Sequence, residues 1–546
     1  MDKDAFPTRP LDDVTPLITA GEGYPALERL ALNAEYYLWL AFRIFDPETQ
    51  LYSAASGTGT WRDLLERKIA QGVAVRLLIS DFDPIGAPKL HETTWRSVEH
   101  LRGLANRGDF QVLPVRHEAQ VGKGLRFGLW LMAARAIESQ RKELNDARPE
   151  ESSTIFQTRP GLWRHLKQDK NGTFKWRSLL LPRLFPATLH HKVAVADGTA
   201  AIIGGLDVDT RRYDDLNHDR PAEETWHDAT VRVDGPIAGD IAHYVAQTWN
   251  ANRIRMAAIR REQLRYAPDG VAERELQVAP LELPQPSTAS AERGGIRLIR
   301  TLSKQARRTG FQLSPKEHLR EIEEAHIQLF SNAKRRVYIE TQYFRSKAIA
   351  DALATAAKNT PELSLILILP AAPEEIAFGD VPHVSDKMGE QLQTECLERV
   401  AGAFGNRMTV LSPVRPKPRS TDGRDNLHGA EIIYVHSKIA IADDNDAIIG
   451  SANLNGRSMR WDTEAAVRIE DRDVVTNLCT RVFEAWHVAG RQAPDLLMAD
   501  ASHWHKIAQR TAQELPEERG FFLVPYSEEP ARRLGQSIPL VPDELV

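Results

Sequence analysis

Apolar positions along this chain fall into short runs separated by amphipathic stretches of helical period. Residues 26–33 read as a helix running into an apolar strand over 37–45. A helix over 61–71 leads to a strand over 73–79, and a third helical stretch precedes a strand over 110–115. The second half repeats this order. Helix 318–333 leads to strand 336–344, helix 348–358 to strand 363–369, and helix 387–404 to strand 408–414. The endings Gln111-Val112-Leu113-Pro114-Val115-Arg116 and Thr409-Val410-Leu411-Ser412-Pro413-Val414-Arg415 are related. Apolar strands alternating with helices predict an α/β fold of mixed sheets flanked by helices. Two copies predict two pseudo-symmetric lobes, and a site between them.

A Pro-, Ser- and Ala-rich stretch with Pro284-Gln285-Pro286 reads as a linker. The expected layout is a first lobe over 1–275, a linker over 276–295, a second lobe over 296–495 and a tail over 496–546. The first copy carries an extra segment over 118–186, with 13 Lys and Arg against 7 Asp and Glu, a net of +6. It bears Trp130, Trp163 and Trp176 and reads as a helical cover or as an interfacial surface for anionic lipid.

The whole chain has 546 residues and a net charge of −5, which argues against a protein that grips nucleic acid along its surface. The two cysteines, Cys396 and Cys479, form no CxxC pair and read as core residues. No apolar run reaches spanning length, and the charged start shows no Sec-type signal. The expectation is a soluble, peripheral monomer, cytoplasmic or exported without a signal peptide.

The chemistry lies in a constellation that occurs twice. His190-His191-Lys192 runs through Asp197 to Gly204-Gly205, and His436-Ser437-Lys438 through Asp443 to Gly450-Ser451. Both fit H-x-K-x4-D-x6-G-[GS], at a constant offset of 246 residues. Histidine and lysine two apart on a strand share a face, whereas His191 points the other way. Lysines neutralise phosphate oxygens in the transition state. One imidazole can attack phosphorus, and a second can protonate the departing alkoxide. Further on, His227-Asp228 aligns with Thr463-Glu464, so Asp228 and Glu464 are candidates to orient the histidines.

These residues resemble the phospholipase D superfamily, whose signature is the duplicated H-x-K-x4-D motif. The segments Trp226-His227-Asp228, Tyr338–Phe344 and Gly450–Met459 are similar to its larger phospholipase D enzymes. The resemblance implies a catalytic set of His190, Lys192, Asp197, His436, Lys438 and Asp443, supported by Asp228, Glu464, Asn453, Ser451 and Gly205. It implies attack by His190 to give a phosphohistidine, protonation by His436, and no metal or cofactor. Asp207 departs from the pattern, since by the offset it matches Asn453. The expected activity is hydrolysis of glycerophospholipids at a membrane surface to phosphatidic acid and a head-group alcohol, with transfer to alcohols possible. A cardiolipin synthase-like phosphatidyltransferase, a superfamily nuclease and a non-catalytic lipid-binding protein are the alternatives.

Overall fold

The computed structural model describes residues 4–545 except 270, 272–277, 286, 292–293, 307–309, 314, 380–382, 420–422, 492–495, 498 and 538–541. The expected boundary between 275 and 276, and the end of the second lobe at 495, lie outside the described residues.

Two sheets share one plan. The first runs Val14–Ile18, Ala229–Asp234, Ala200–Gly204, Val193–Ala196, Tyr37–Phe42, Ala74–Asp81 and Phe110–Arg116. The second repeats it with Gly295–Lys304, Glu464–Glu470, Asp446–Gly450, Ile439–Ala442, Arg336–Glu340, Ser364–Ile368 and Met408–Pro418. In both, the neighbours pair antiparallel up to the fifth strand and parallel from there on.

Strand alternation builds the layers. Val193 and Val195, with Ile439 and Ile441, face a core common to both lobes. Ala194 and Ala196 face the outer helices Ala20–Asn33, Trp61–Ala70 and Pro88–Leu101. Ala440 and Ala442 face the helices Glu321–Asn332, Lys347–Asn359 and Val384–Phe404. The common core also takes in Ile241, Val245 and Trp249 of the long helix Pro236–Leu264 and Leu478 and Val482 of Arg472–Glu484. Both cysteines are buried.

Several elements depart from the sequence reading. The first helix starts at Ala20 rather than residue 26. Residues Lys316–Arg320, expected as helix from 318, form an edge strand on Gly295–Lys304, because ladder pairing outweighs local period there. The tail is integral to the second lobe: Leu523–Pro525 pairs with Met408–Pro418, and Trp504, Phe521 and Phe522 enter the common core. The 118–186 segment forms three helices, Lys123–Gly128, Trp130–Asp146 and Pro149–Gln157, and a small hairpin. Phe156, Trp163 and Phe174 give it a core of its own. Among the described residues, no helix is long and apolar enough to cross a membrane.

Candidate active site

Each motif strand is fixed at both ends. At the far end Asp197, with φ 53°, accepts the backbone N–H groups of Glu35, Tyr36 and Tyr37 at 2.7–2.8 Å. Asp443, with φ 54°, does the same for Lys334, Arg335 and Arg336 at 2.8–3.0 Å. These contacts give both acids a structural task at the strand end. A four-residue strand separates each from its lysine, and each ties that strand to the start of its neighbour.

At the near end the lobes interlock. The backbone N–H groups of His190 and His191 donate to Thr463 O at 2.8 and 3.1 Å, and those of His436 and Ser437 to His227 O at 2.7 and 3.0 Å. Each motif thus docks on the strand of the opposite lobe that carries an acid. His190 Nδ1 lies 3.0 and 3.1 Å from the two Glu464 oxygens. His436 Nδ1 lies 2.6 Å from Asp228 Oδ2. The acids cross between lobes.

The two histidines and two lysines form one electrostatic cluster. Lys192 Nζ donates to His190 O at 2.6 Å, and Lys438 Nζ to His436 O. His190 feels both lysines, and His436 feels both lysines and His190. Burial, then Lys192 and Arg43, hold the His190 pKa well below its ordinary value. Burial, then Lys438 and Arg212, do the same for His436. Burial also lowers Lys438 to about 7 and raises Asp228 to about 7 and Glu464 to about 8. Each imidazole has its Nδ1 directed at an acid of the opposite lobe. Nε2 of each is left for chemistry.

The supporting residues differ between lobes. A Cβ on Gly205 would overlap Asp228 Oδ1, so that carboxylate fits only above a glycine. At the matching place Ser451 donates its hydroxyl to Glu464 Oε2. Asp207 accepts from Ile44 N at 2.8 Å and lies 3.6 Å from Lys192 Nζ. Its counterpart Asn453 donates to Gln342 Oε1 at 3.2 Å. Leu38 pairs with Ala196 as Val337 pairs with Ala442, which makes Arg43 the counterpart of Gln342. Arg43 is held by the charge of Asp207. One lobe thus uses an arginine and a carboxylate where the other uses two amides, and Asp207 adds no uncompensated negative charge. His191 turns away to Tyr244 OH at 2.6 Å.

Sequence reasoning gave no role to Arg43, Arg212, Glu340 or Asp462. Arg212 lies 3.6 Å over the Trp226 ring, whose edge meets His436. Glu340 accepts from Ser437 Oγ at 2.5 Å and from Tyr338 OH at 2.6 Å beneath His436. Asp462 accepts from Thr188 N at 2.7 Å and pairs with Arg457. The strand repeat could have exposed Arg43, since it extends one residue past Phe42 as Gln342 extends past Thr341.

The chain is similar to several known proteins. A family model described as "Cardiolipin synthase, PLD-like domain" matches residues 326–486. Phospholipase D1 of Mus musculus is 29% identical over 294 residues, which is 50% of this chain and 26% of that protein. Phospholipase D alpha 3 of Arabidopsis thaliana is 25% identical over 378 residues, 51% of this chain and 44% of that protein. The chain therefore spans from about a quarter to less than half of these relatives. The solved phosphatidylserine synthase of Haemophilus influenzae is 13% identical with a TM-score of 0.49, covering 88% of this chain and 87% of that one.

Proposed function

Because the chain belongs to the phospholipase D superfamily, we propose that it hydrolyses the distal phosphodiester of glycerophospholipids, giving phosphatidic acid and a head-group alcohol. The observation that carries this reading is the pair of imidazoles on separate lobes, each backed by the other lobe's acid and flanked by a lysine. His190 Nε2 attacks phosphorus and the bond to the head-group oxygen breaks. His436 gives that oxygen a proton, taken up through its hydrogen bond with Asp228. Water then attacks the phosphohistidine, His436 removes its proton, and the phosphorus–nitrogen bond breaks. Lys192, Lys438 and Asn453 hold the non-bridging oxygens, and Glu464 orients His190. A primary alcohol in place of water gives transphosphatidylation.

The substrate sits in a bilayer, and the 118–186 segment supplies a surface for one. Phe127, Leu131, Met132, Leu179 and Leu180 are exposed on it, and its net charge is +6. Exposed apolar side chains among basic ones suit an anionic phospholipid surface.

The test is product analysis on vesicles carrying choline, ethanolamine, glycerol and serine lipids, with and without ethanol. Phosphatidic acid, and phosphatidylethanol when ethanol is present, support the reading, and both should vanish in His190→Ala and in His436→Ala. Full activity in either variant would overturn the shared site. A second reading, phosphatidyl transfer to a lipid alcohol, rests on the family model matched by the second lobe. It predicts cardiolipin rather than phosphatidic acid from phosphatidylglycerol.

A further inference from the structure

The 118–186 segment meets the first lobe around a cavity of about 50 Å³ that is lined by none of the motif residues. Arg116 borders it from the last strand of the first sheet, Arg164, His165 and Arg183 from the segment, and Glu262 and Gln263 from the long helix. Four of these six carry a buried polar atom with no hydrogen-bond partner among the described residues: Arg116 Nε, Arg164 Nε, His165 Nδ1 and Gln263 Oε1. Arg116 is 5% exposed and His165 2%. Buried polar atoms are paired almost everywhere in folded proteins. Four of them on residues that line one small cavity point to a hydrogen-bonding ligand there.

Charge and size narrow the ligand. Three guanidiniums and one carboxylate line the cavity. Glu262 lies 3.4 Å from Arg164 and 3.1 Å from Arg183, and Arg116 pairs with Asp81 behind it. Arg164 and Arg183 thus outnumber the one carboxylate they share, while Arg116 is met by Asp81 and also acts on Asp83. Burial lowers His165 to about 4, so its ring is neutral at neutral pH. A water needs about 10–15 Å³ measured this way, so the cavity suits a tetrahedral oxyanion rather than an acyl chain. The unpaired Gln263 carbonyl oxygen calls for a donor on the ligand. Hydrogen phosphate carries a hydroxyl, and sulfate at neutral pH does not.

We propose that this cavity is a phosphate-binding site, distinct from the candidate active site, whose occupant clamps the segment onto the first lobe. Phe185, which also lines the cavity, donates its backbone N–H to Asp83 at 2.6 Å. The chain reaches His190 five residues later, with Leu189 O held by Ser80. Phosphate bound here would steady the approach to the first motif.

The test uses the full chain carrying Lys192→Gln and Lys438→Gln, so that phosphate has lost its lysines at the motif site. Thermal unfolding is followed against inorganic phosphate, sulfate and dihexanoyl phosphatidic acid. Phosphate should raise the midpoint saturably, and sulfate should bind at least tenfold more weakly. Arg164→Gln and Arg183→Gln should each weaken phosphate binding at least tenfold. Equal binding of the short-chain lipid identifies a lipid head group as the source, and binding of phosphate alone identifies the free ion. Absence of saturable stabilisation, or stabilisation unmoved by either arginine variant, overturns the proposal. A crystal soaked in phosphate covers the case in which a variant fails to fold: density for phosphate in the cavity supports the site, and water alone there refutes it.

Discussion

Gly205 and Ser451 hold equivalent places yet treat their acids in opposite ways, and this asymmetry can be measured. Asp228 is 2% exposed and its Oδ2 is fixed 2.6 Å from His436, so a methyl group at 205 has only the carboxylate to displace. Gly205→Ala should therefore push Asp228 off the imidazole. As Asp228 yields its proton to His436 the bond between them becomes charged, and losing a hydrogen bond to a charged group is worth about 1.5–3 kcal/mol. Converted at about 1.4 kcal/mol per decade, turnover should fall roughly 10- to 150-fold. Overpacking should also lower stability by about 1–3 kcal/mol. Gly205 has no left-handed φ, so the effect is steric and Gly205→Ser should be at least as severe. At the matching place Ser451→Gly only removes a hydroxyl from Glu464. A neutral donor is worth about 0.5–1.5 kcal/mol, which gives roughly a 2- to 12-fold loss. Initial rates of head-group release from phosphatidylcholine micelles, beside thermal midpoints, read both effects. A folded Gly205→Ala protein within twofold of the parent rate, or a Ser451→Gly protein slower than it, would refute the reasoning.

Three further outcomes follow from other parts of the molecule. Phe127→Ser with Leu131→Ser should reduce sedimentation with anionic vesicles several-fold while sparing turnover of a soluble phosphodiester, and unchanged sedimentation would remove the segment from membrane contact. Arg9 is joined through Nε and Nη2 to the buried Asp240 at 2.6 and 2.7 Å. Arg9→Ala should cost about 3–5 kcal/mol in urea unfolding, and a loss under 1 kcal/mol would contradict that burial. Burial lowers His117 and His191 to about 3 and His165 and His326 to about 4. The unfolded chain takes up these protons first, so stability present above pH 6.5 should drain as pH falls toward 4. The raised Asp83, Asp209, Asp228 and Glu464 act in the opposite sense, but the lowered histidines, which also include His91, His190, His227, His436 and His487, outnumber them. A thermal midpoint that is flat from pH 7 to 4.5 would count against this balance.

The constellation was legible because its spacing is local and repeated. His, Lys and the small residues recur at one offset, and alternation along a strand assigns their faces. The crossing of the acids was not legible, since an offset between copies is the same whether Glu464 serves His436 or His190. Asp197 and Asp443 belong to the motif for a different reason from its histidines and lysines. A left-handed turn at the end of each motif strand must be held by a side chain that accepts three amides. Elements lacking a distinctive local period went unseen. The strands Val14–Ile18 and Gly295–Lys304 gain their form from partners more than 150 residues away in sequence. The long helix Pro236–Leu264 is buried against different partners along its length, in the common core at Ile241 and against the cluster of the 118–186 segment at Leu264.

The exchange of carboxylates has a consequence beyond geometry. Neither half of this chain is a smaller enzyme in waiting, because a fragment holding His190 would keep Asp228 and lack the partner its own imidazole requires. Separately purified halves should be inert and should regain turnover only when mixed at concentrations where they reassociate. The same dependence should couple the fate of the two copies: damage to either acid should silence the opposite histidine and keep the halves from drifting apart into independent catalysts.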